Sequence, residues 1–334
     1  MKKALFYRNM KGNSVQCTLC PHFCIVKDGE YGNCGVRKNV HGILYSTTYG
    51  KPCATAVDPI EKKPLFHFLP GALAYSIATV GCNFHCKNCQ NWQISQAKLE
   101  DYPYEEKAPQ EVVREAISAG CKIIAYTYTE PAVFFEYVLD IAKIAKRKGL
   151  KNILVTNGFT NPEPIREWAK FIDAANIDMK SMDDSFYRKI CSARLKPVQE
   201  SLKLYKELGV WIEVTNLIIP TLNDSRTILK KLCSWVKGEL GDSTPLHFSR
   251  FFPYYKLKNI PITPKEKLLE AYDLAQKAGL KYVYLGNLWA DKEENTYCPN
   301  CGRPVVERSA FSVIKNHLKD GVCSCGYRMP GVWK

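Results

Sequence analysis

Residues 77–95, IATVGCNFHCKNCQNWQIS, contain three cysteines, Cys82, Cys86 and Cys89, in the spacing C-x3-C-x2-C. Metal sites that serve only a structural purpose usually complete their coordination with protein ligands, four for zinc or for an ordinary 4Fe-4S cluster. If these three thiolates hold three irons of a 4Fe-4S cube, the fourth iron keeps an open position for a molecule that is not protein. The spacing therefore predicts a reactive metal centre rather than a structural one.

Two further groups of cysteines flank this triplet. The first, C-x2-C-x3-C-x9-C, has four ligands and could close either zinc or a second 4Fe-4S cluster. The second begins with CPNCG, which is typical of a zinc ribbon, and ends in CSCG; this shorter spacing leaves an iron-sulfur cluster as the alternative to zinc. Their members are Cys17, Cys20, Cys24 and Cys34 in the first group, and Cys298, Cys301, Cys323 and Cys325 in the second. The remaining cysteines, Cys53, Cys121, Cys191 and Cys233, are interpreted as structural.

The chain has 334 residues, 46% of them hydrophobic, which is enough for one large domain with a sizeable core plus small appendages. The formal net charge is +14, and residues 1–75 contain ten Lys and Arg against four Asp and Glu. A charge balance of this kind is most often a solvated basic surface. An acidic partner such as RNA is the alternative, and Lys27, Arg37 and Lys38 are then its predicted contacts.

No window of the sequence approaches the length of a transmembrane helix, and the apolar run after the first lysines is too short for a signal peptide. The sequence therefore predicts a cytoplasmic protein without membrane contact. Thiols stay reduced in that compartment, so the fifteen cysteines indicate metal ligation rather than disulfides.

From residue 73 onward, apolar strand-like segments alternate with helix-like segments at a period of roughly thirty residues, the length of a βα unit. Such alternation predicts a parallel sheet covered by helices. About six or seven units are visible, fewer than the eight of a complete TIM barrel. The predicted fold is therefore α/β, a partial (β/α)6-type TIM barrel with small cysteine-rich metal-binding elements at both termini; a doubly wound sheet is the alternative topology.

Three domains follow from these patterns. They are a basic cysteine-rich metal-binding segment over residues 1–70, the partial barrel over residues 71–290, and a zinc-ribbon-like element over residues 291–334.

Distinctive polar residues occur where strands of the predicted barrel end, and functional groups of parallel βα folds gather at those ends. In chain order they are Thr129 and Glu130 after the second strand, Thr156 and Asn157 after the third, Asp178 and Lys180 after the fourth, and Asn216 in the fifth. Arg250 lies on a later, otherwise buried strand, where a charge is costly unless it is paired. We expect it to line the cavity, whereas the neighbouring His247 is interpreted as a core histidine.

These motifs resemble the radical SAM superfamily, and within it the branch similar to pyruvate formate-lyase activating enzyme. The resemblance is strongest to the family of the radical SAM enzyme in the AmmeMemoRadiSam system. The segments that carry it are DPIEKKPLFHFLPG (58–71), GCNFHCKNCQNW (81–92), YTYTEP (126–131), VTNGF (155–159) and NIDMKS (176–181).

The resemblance implies a 4Fe-4S cluster on the three central cysteines, with S-adenosylmethionine (AdoMet) chelating the fourth iron. Reductive cleavage of AdoMet would give a 5′-deoxyadenosyl radical that abstracts hydrogen from a protein glycine, an RNA base or a metabolite. It also implies a low-potential electron donor such as ferredoxin or flavodoxin. Thr129 and Glu130 would meet the AdoMet amino group, and Asp178 and Lys180 its carboxylate.

Thr156 and Asn157 would meet the methionine moiety or ribose, and Asn216 and Arg250 complete the predicted cofactor-binding set. A non-catalytic module that uses several metals to grip nucleic acid is the alternative function. A binding module of that kind has no need for an incomplete ligand set.

Overall fold

The computed structural model describes residues 1–288 and 292–334. Its N-terminal part consists of short strands: β1 (Lys2–Lys3), β2 (Tyr7–Asn9), β3 (Val15–Cys17), β4 (Ile25–Val26), β5 (Arg37–Val40) and β6 (Ile43–Ser46). They form two small antiparallel sheets, in the orders β1-β6-β5 and β2-β3-β4. The predicted N-terminal metal-binding segment is therefore a set of hairpins, with its cysteines on the second sheet and in the turns around it.

The central sheet carries most of the chain. Over the described ranges it has eight strands, which pair in chain order from β7 to β14. They are β7 (Ala54–Pro59), β8 (Leu73–Ala78), β9 (Ile123–Tyr126), β10 (Lys151–Thr156), β11 (Ala174–Asp178), β12 (Trp211–Ile218), β13 (Leu246–Arg250) and β14 (Val283–Gly286). β7 is antiparallel to β8, and each later strand is parallel to the one before it.

This strand order decides between the two predicted topologies. A doubly wound sheet reverses its order at a switch point, whereas here every new strand is added on the same side of the last. The partial barrel is therefore confirmed. Within residues 1–288 and 292–334, β14 does not pair with β7, so the barrel stays open along one side.

Helices connect successive parallel strands. They are α1 (Trp92–Ser95), α2 (Pro109–Ser118), α3 (Phe135–Arg147), α4 (Pro162–Trp168), α5 (Asp184–Phe186), α6 (Leu195–Glu207), α7 (Arg226–Trp235) and α8 (Lys265–Ala278). Short 3-10 turns occur at Ile60–Lys62, Leu99–Asp101, Pro131–Phe134 and Lys292–Glu294, and π-helical turns at Tyr187–Cys191 and Val236–Leu240. In the part of the chain described, none of the helices combines the length and apolarity needed to cross a bilayer.

The strands of the sheet are apolar on both faces because both faces are covered. On β9, Ile124 and Tyr126 pack into the large core shared with the helices, whereas Ile123 and Ala125 pack into a second cluster with Phe68 inside the barrel. A continuous apolar run of this kind is typical of a parallel strand buried on both sides.

The C-terminal residues form a small antiparallel sheet of β15 (Thr296–Tyr297), β16 (Pro304–Ser309) and β17 (Ser312–Asn316). It packs on the open side of the barrel, where the ring of Phe66, after β7, lies 4.8 Å from that of Tyr284 on β14. The predicted boundary between barrel and C-terminal element, at residues 290 and 291, lies outside the described residues. The domain limits therefore remain predictions.

Arg308 anchors this element to the barrel. Its buried guanidinium donates to Phe66 O at 2.7 Å and to Thr296 Oγ1 at 2.8 Å, and it lies 3.6 Å from the Glu61 carboxylate. The guanidinium carbon also lies 4.2 Å from the centre of the Phe66 ring. Because Glu61 and Phe66 follow β7 while Arg308 lies on β16, these contacts join the segment after β7 to the C-terminal sheet across the open side.

We expect Arg308→Met to lower the free energy of unfolding by about 3–5 kcal/mol, since it leaves the buried Glu61 carboxylate without its countercharge. Urea unfolding of the anaerobic protein, followed by circular dichroism, measures this loss. The matched control is Arg328→Met, because Arg328 is exposed; it should change stability by no more than about 0.5 kcal/mol. Equal stability of the two variants would contradict the anchoring role.

Candidate active site

A cavity of about 690 Å³ lies at the carboxyl ends of the first parallel strands. Its lining combines the central cysteine loop with polar residues from successive strand ends. The predicted site residues among them are Cys82, Cys86, Cys89, Thr129, Glu130, Thr156, Asn157, Asp178 and Lys180. The fold thus gathers side chains that are separated by up to a hundred residues in the sequence.

The loop that carries the three cysteines is held on two sides. The Gly81 amide donates to Ile94 O at 2.9 Å, which fixes the loop to α1. The amides of His85 and Lys87 donate, at 3.0 and 2.9 Å, to carbonyls at the end of the π-helical turn Tyr187–Cys191. These backbone bonds set the positions of the three sulfur atoms.

All three sulfur atoms have polar neighbours, and that of Cys86 is the Cys191 thiol. The Phe84 amide N lies 3.3 Å and Asn157 Nδ2 3.9 Å from Cys82 Sγ, and Ser95 Oγ lies 3.2 Å from Cys89 Sγ. Donors in such positions stabilise a thiolate ligand and tune the metal that it binds.

The carboxylate of Glu130 ties the end of β9 to the end of β10. It is 1% exposed, and it accepts from Ala132 N at 3.1 Å, Thr156 Oγ1 at 2.8 Å and Asn157 N at 2.8 Å. Burial raises the pKa of Glu130 to about 7, although these hydrogen bonds act in the opposite direction. A carboxylate has about four acceptor positions, so one is left for a cationic group in the cavity.

The TNG turn after β10 is both a turn and part of the cavity wall. Gly158 has a φ of +69°, and a Cβ there would lie 2.9 Å from Ile177 Cγ2, so glycine is required. Asn157 Nδ2 donates to Asn83 Oδ1 at 2.8 Å, which connects this turn to the cysteine loop. The side chain of Asn157 therefore holds the loop as well as lining the cavity.

A charged pair closes the wall at the end of β11. Lys180 Nζ lies 2.7 Å from Asp178 Oδ2. Burial acts to lower the pKa of Lys180, but the charges of Asp178 and Cys86 raise it above its ordinary value, so the amine stays protonated. Asn216 Nδ2 donates to Met179 O at 2.7 Å, which supports the backbone between the two charges.

The structure does not bring Asn216 and Arg250 to the cavity lining within the described residues. Asn216 acts behind the wall, on the backbone of Met179. Arg250 Nε donates to Thr263 O at 2.7 Å, which gives its side chain a partner outside the cavity lining. His247 is a buried histidine as expected, bonded to Glu213 at 2.7 Å, and it also lines the cavity.

Sequence reasoning missed a charged cluster in the segment 58–63. Lys62 and Lys63 line the cavity, and Lys63 is 2% exposed, with its amine 2.7 Å from Asp58 and 4.5 Å from the centre of the Tyr128 ring. The Tyr128 hydroxyl donates to the same carboxylate at 2.5 Å. Two adjacent lysines directly after the buried residues Ile60 and Glu61 were the available signal.

The prediction that Arg37 contacts an acidic partner at the surface is wrong. This side chain is 1% exposed, and its Nη2 lies 2.7 Å from a carboxylate oxygen of Glu136. Lys27 is exposed and Lys38 half-buried, so the surface expected for RNA loses one of its three predicted contacts.

Comparisons with known proteins show the family of this chain. Residues 76–232 match the family model of the radical SAM superfamily. The uncharacterized protein MJ0808 of Methanocaldococcus jannaschii is 50% identical over 332 residues, which cover 98% of this chain and 99% of the relative. The chain belongs to the radical SAM superfamily.

Further relatives show that this radical SAM enzyme is similar to the activating enzymes. The pyruvate formate-lyase-activating enzyme of Clostridium pasteurianum is 26% identical over 208 residues, covering 56% of this chain and 83% of the relative. A solved radical SAM methyltransferase from Sphaerobacter thermophilus superposes with a TM-score of 0.51 at 13% identity, over 66% of this chain and 68% of that one. The likeness to that structure concerns the fold alone.

The radical SAM family implies a 4Fe-4S cluster and AdoMet, and the donor set fits both. The described lining contains the three central cysteines and no fourth, so a cube held there keeps one iron open. Glu130 offers an acceptor for the cationic amino group, and Lys180 offers a positive charge for the carboxylate of AdoMet.

The C-terminal cysteines form a separate metal site. The sulfur atoms of Cys298, Cys301, Cys323 and Cys325 all lie within 4.8 Å of one another, with separations of 3.6 Å for Cys298 and Cys325 and 3.7 Å for Cys301 and Cys323. Tetrahedral zinc with Zn–S bonds of about 2.3 Å holds its sulfurs about 3.8 Å apart. The short C-x-C spacing is therefore compatible with a single ion.

We expect the isolated protein to contain about one zinc per chain, bound by this group. The variant Cys298→Ser/Cys301→Ser should lose it, because a tetrahedral site with two ligands does not retain zinc through chelation and desalting. Elemental analysis by mass spectrometry measures the change. Cys53→Ser is the control and should keep its zinc; full retention in the double variant would show that the ion is bound elsewhere.

Proposed function

We propose that this radical SAM enzyme binds AdoMet at the iron left open by Cys82, Cys86 and Cys89 and uses it to abstract hydrogen from a substrate. When bound, the cluster and AdoMet supply the reductive cleavage of the sulfonium to methionine and a 5′-deoxyadenosyl radical. The observation that carries the proposal is that these thiols, the Glu130 carboxylate and the Asp178–Lys180 pair line one cavity.

The residues around the cavity divide into groups that contact AdoMet and groups that position them. Glu130 accepts a hydrogen bond from the AdoMet amino group, and Lys180 pairs with its carboxylate. Asp178 orients Lys180 through the bond of 2.7 Å between them. Thr156 donates its hydroxyl to Glu130 at 2.8 Å and thus holds that carboxylate in place.

Thr129 has the same supporting character, since its hydroxyl donates to Thr79 O at 2.8 Å while the residue lines the cavity. Asn157 contributes by fixing the cysteine loop through Asn83. The roles that the resemblance implied for Thr129, Thr156 and Asn157 as direct contacts thus become partly roles of positioning.

The hydrogen donor is a protein glycine, an RNA base or a small metabolite. The names of two relatives support the first class: the pyruvate formate-lyase-activating enzyme and a putative glycyl-radical enzyme activating enzyme of Methanocaldococcus jannaschii, which is 25% identical over 209 residues. A low-potential carrier such as ferredoxin or flavodoxin supplies the electron. A non-catalytic nucleic-acid-binding module is not favoured, because such a module has no need for an incomplete set of three cysteines in one cavity with Glu130 and the Asp178–Lys180 pair.

The reconstituted, reduced protein should convert AdoMet to 5′-deoxyadenosine under anaerobic conditions. Cys82→Ala/Cys86→Ala/Cys89→Ala should reduce this conversion to the uncatalysed background, because no cysteine then remains in the described lining to hold the cluster. Chromatography with mass detection quantifies the product. Cys53→Ala serves as control and should retain activity; conversion by the triple variant would refute the assignment.

Glu130→Gln should weaken AdoMet binding by roughly 10- to 100-fold, which corresponds to the about 1.5–3 kcal/mol of a hydrogen bond to a charged group. The amide keeps the shape of the side chain but loses one acceptor oxygen and the negative charge. Equilibrium dialysis of AdoMet against the reconstituted protein gives the dissociation constant.

The matched control for this experiment is Glu163→Gln, because Glu163 is exposed on α4. It should leave the dissociation constant unchanged. If Glu130→Gln binds AdoMet as tightly as this control, Glu130 does not meet the amino group.

A further inference from the structure

The N-terminal cysteine group lies directly beside the central cysteine loop. His22, between Cys20 and Cys24 in the sequence, contacts Asn83 O through its Nε2 at 2.7 Å. Gly81, which precedes Cys82, approaches the other end of the group so closely that a Cβ there would lie 2.9 Å from Cys34 O. The N-terminal cysteine group therefore contacts the backbone of the central cysteine loop.

Backbone contacts bring the cysteines of the N-terminal group near one another. Cys17 and Cys24 are joined by a backbone hydrogen bond of 2.9 Å, and the Cys24 sulfur accepts from the Asn33 amide at 3.4 Å. Gly32 lies beside the same sulfur, since a Cβ there would be 3.8 Å from it, and the turn from Gly32 to Gly35, closed by a backbone bond of 2.9 Å, contains Cys34. Cys17 is buried, the other three cysteines are half-buried, and none of the four forms a disulfide.

Arg37 provides an independent indication of a ligand. Its side chain is 1% exposed and donates through Nη2 to Glu136 at 2.7 and 2.9 Å, yet its Nε and Nη1 have no hydrogen-bond partner among the described residues. Its charge acts on the thiols of both Cys17 and Cys34. Unpaired buried donors of this kind cost free energy, and an anionic group between the cysteines would satisfy them.

The distances between the sulfur atoms distinguish a zinc ion from a 4Fe-4S cluster. Of the cysteine groups in the described ranges, the C-terminal one alone has its sulfur atoms within 4.8 Å of one another. The N-terminal group does not reach this separation, and neither does the central triplet. Thiolates on different irons of a cube are necessarily farther apart than thiolates on one zinc ion.

We propose that Cys17, Cys20, Cys24 and Cys34 hold a second 4Fe-4S cluster, which passes electrons to the central site. One electron from a reduced low-potential carrier protein reduces this cluster, moves to the central cluster and is consumed when the AdoMet sulfonium bond breaks; no proton is transferred. Phe23 and Ile25, on either side of Cys24, are 46% and 61% exposed, so the second cluster lies near the surface. Electron transfer to the central site rests on the proposed function, whereas the presence of the cluster does not.

Metal analysis of the triple variant Cys82→Ala/Cys86→Ala/Cys89→Ala tests the site itself. After anaerobic reconstitution we expect about eight irons per chain in the wild type and about four, with about four sulfides, in the variant. The reduced variant should show a paramagnetic resonance signal that AdoMet does not alter. An iron-free variant that carries two zinc ions, or one that carries zinc only at the C-terminal group, would overturn the proposal.

A second comparison tests electron transfer. Cys20→Ala/Cys24→Ala should retain AdoMet cleavage with dithionite, which reduces the central cluster directly. With reduced flavodoxin as the electron donor, its rate of AdoMet cleavage should fall at least ten-fold. Cys53→Ala/Cys121→Ala is the matched control and should behave as wild type with both reductants. Equal activity of the two variants with flavodoxin would contradict the relay, whereas absence of cleavage by the wild type with dithionite would contradict the proposed function instead.

The midpoint potential of the second cluster tests the role of Arg37. In the triple-variant background, Arg37→Met/Glu136→Gln is compared with Glu136→Gln alone, so that the two proteins differ only in the guanidinium. Without the guanidinium, the reduced and more negative cluster is less stabilised, and its midpoint potential should become more negative. An unchanged potential would show that Arg37 does not face the cluster.

Discussion

The cavity depends on one buried carboxylate. Glu130 accepts from the backbone and side chain of the next strand end, and Asn157, which it holds, in turn holds Asn83 in the cysteine loop. Three separate segments of the chain are thereby fixed by hydrogen bonds that start from a single side chain. A buried carboxylate is stable only when such bonds satisfy it, so the same contacts that shape the site also allow the charge to remain there.

The barrel could be predicted from the sequence because its signals are local and repeat. Each strand is a short apolar run and each crossover contains a helix, so the alternation is visible without tertiary information. The number of strands and the direction of β7 were less accessible. β7 belongs to a segment interpreted as part of the metal-binding element, but it pairs antiparallel with β8 and extends the central sheet.

Site residues could be predicted from the sequence where they directly follow the end of a strand. The position of a long charged side chain could not, because it depends on which partner the side chain contacts in the folded protein. Glu130, Asp178 and Lys180 lie where the pattern placed them, because the backbone alone brings strand ends together. Arg250 and Arg37 instead found carbonyl or carboxylate partners that the sequence does not reveal, Thr263 in one case and Glu136 in the other. Lys63 is a residue of the cavity that the sequence analysis missed. Its burial beside Asp58 follows from packing and not from any periodicity of the sequence.

The contact between Phe66 and Arg308 joins residues 242 positions apart in the chain. During synthesis, the segment that contains Glu61 and Phe66 leaves the ribosome long before β16 exists. The parallel strands can assemble progressively as they emerge, but the side of the cavity next to Phe66 must wait for the last part of the chain. It follows that this side of the cavity, which Phe66 and Phe311 line in the folded protein, stays open until the C-terminal element docks, and that iron and sulfide can reach the central cysteines from that side before it does.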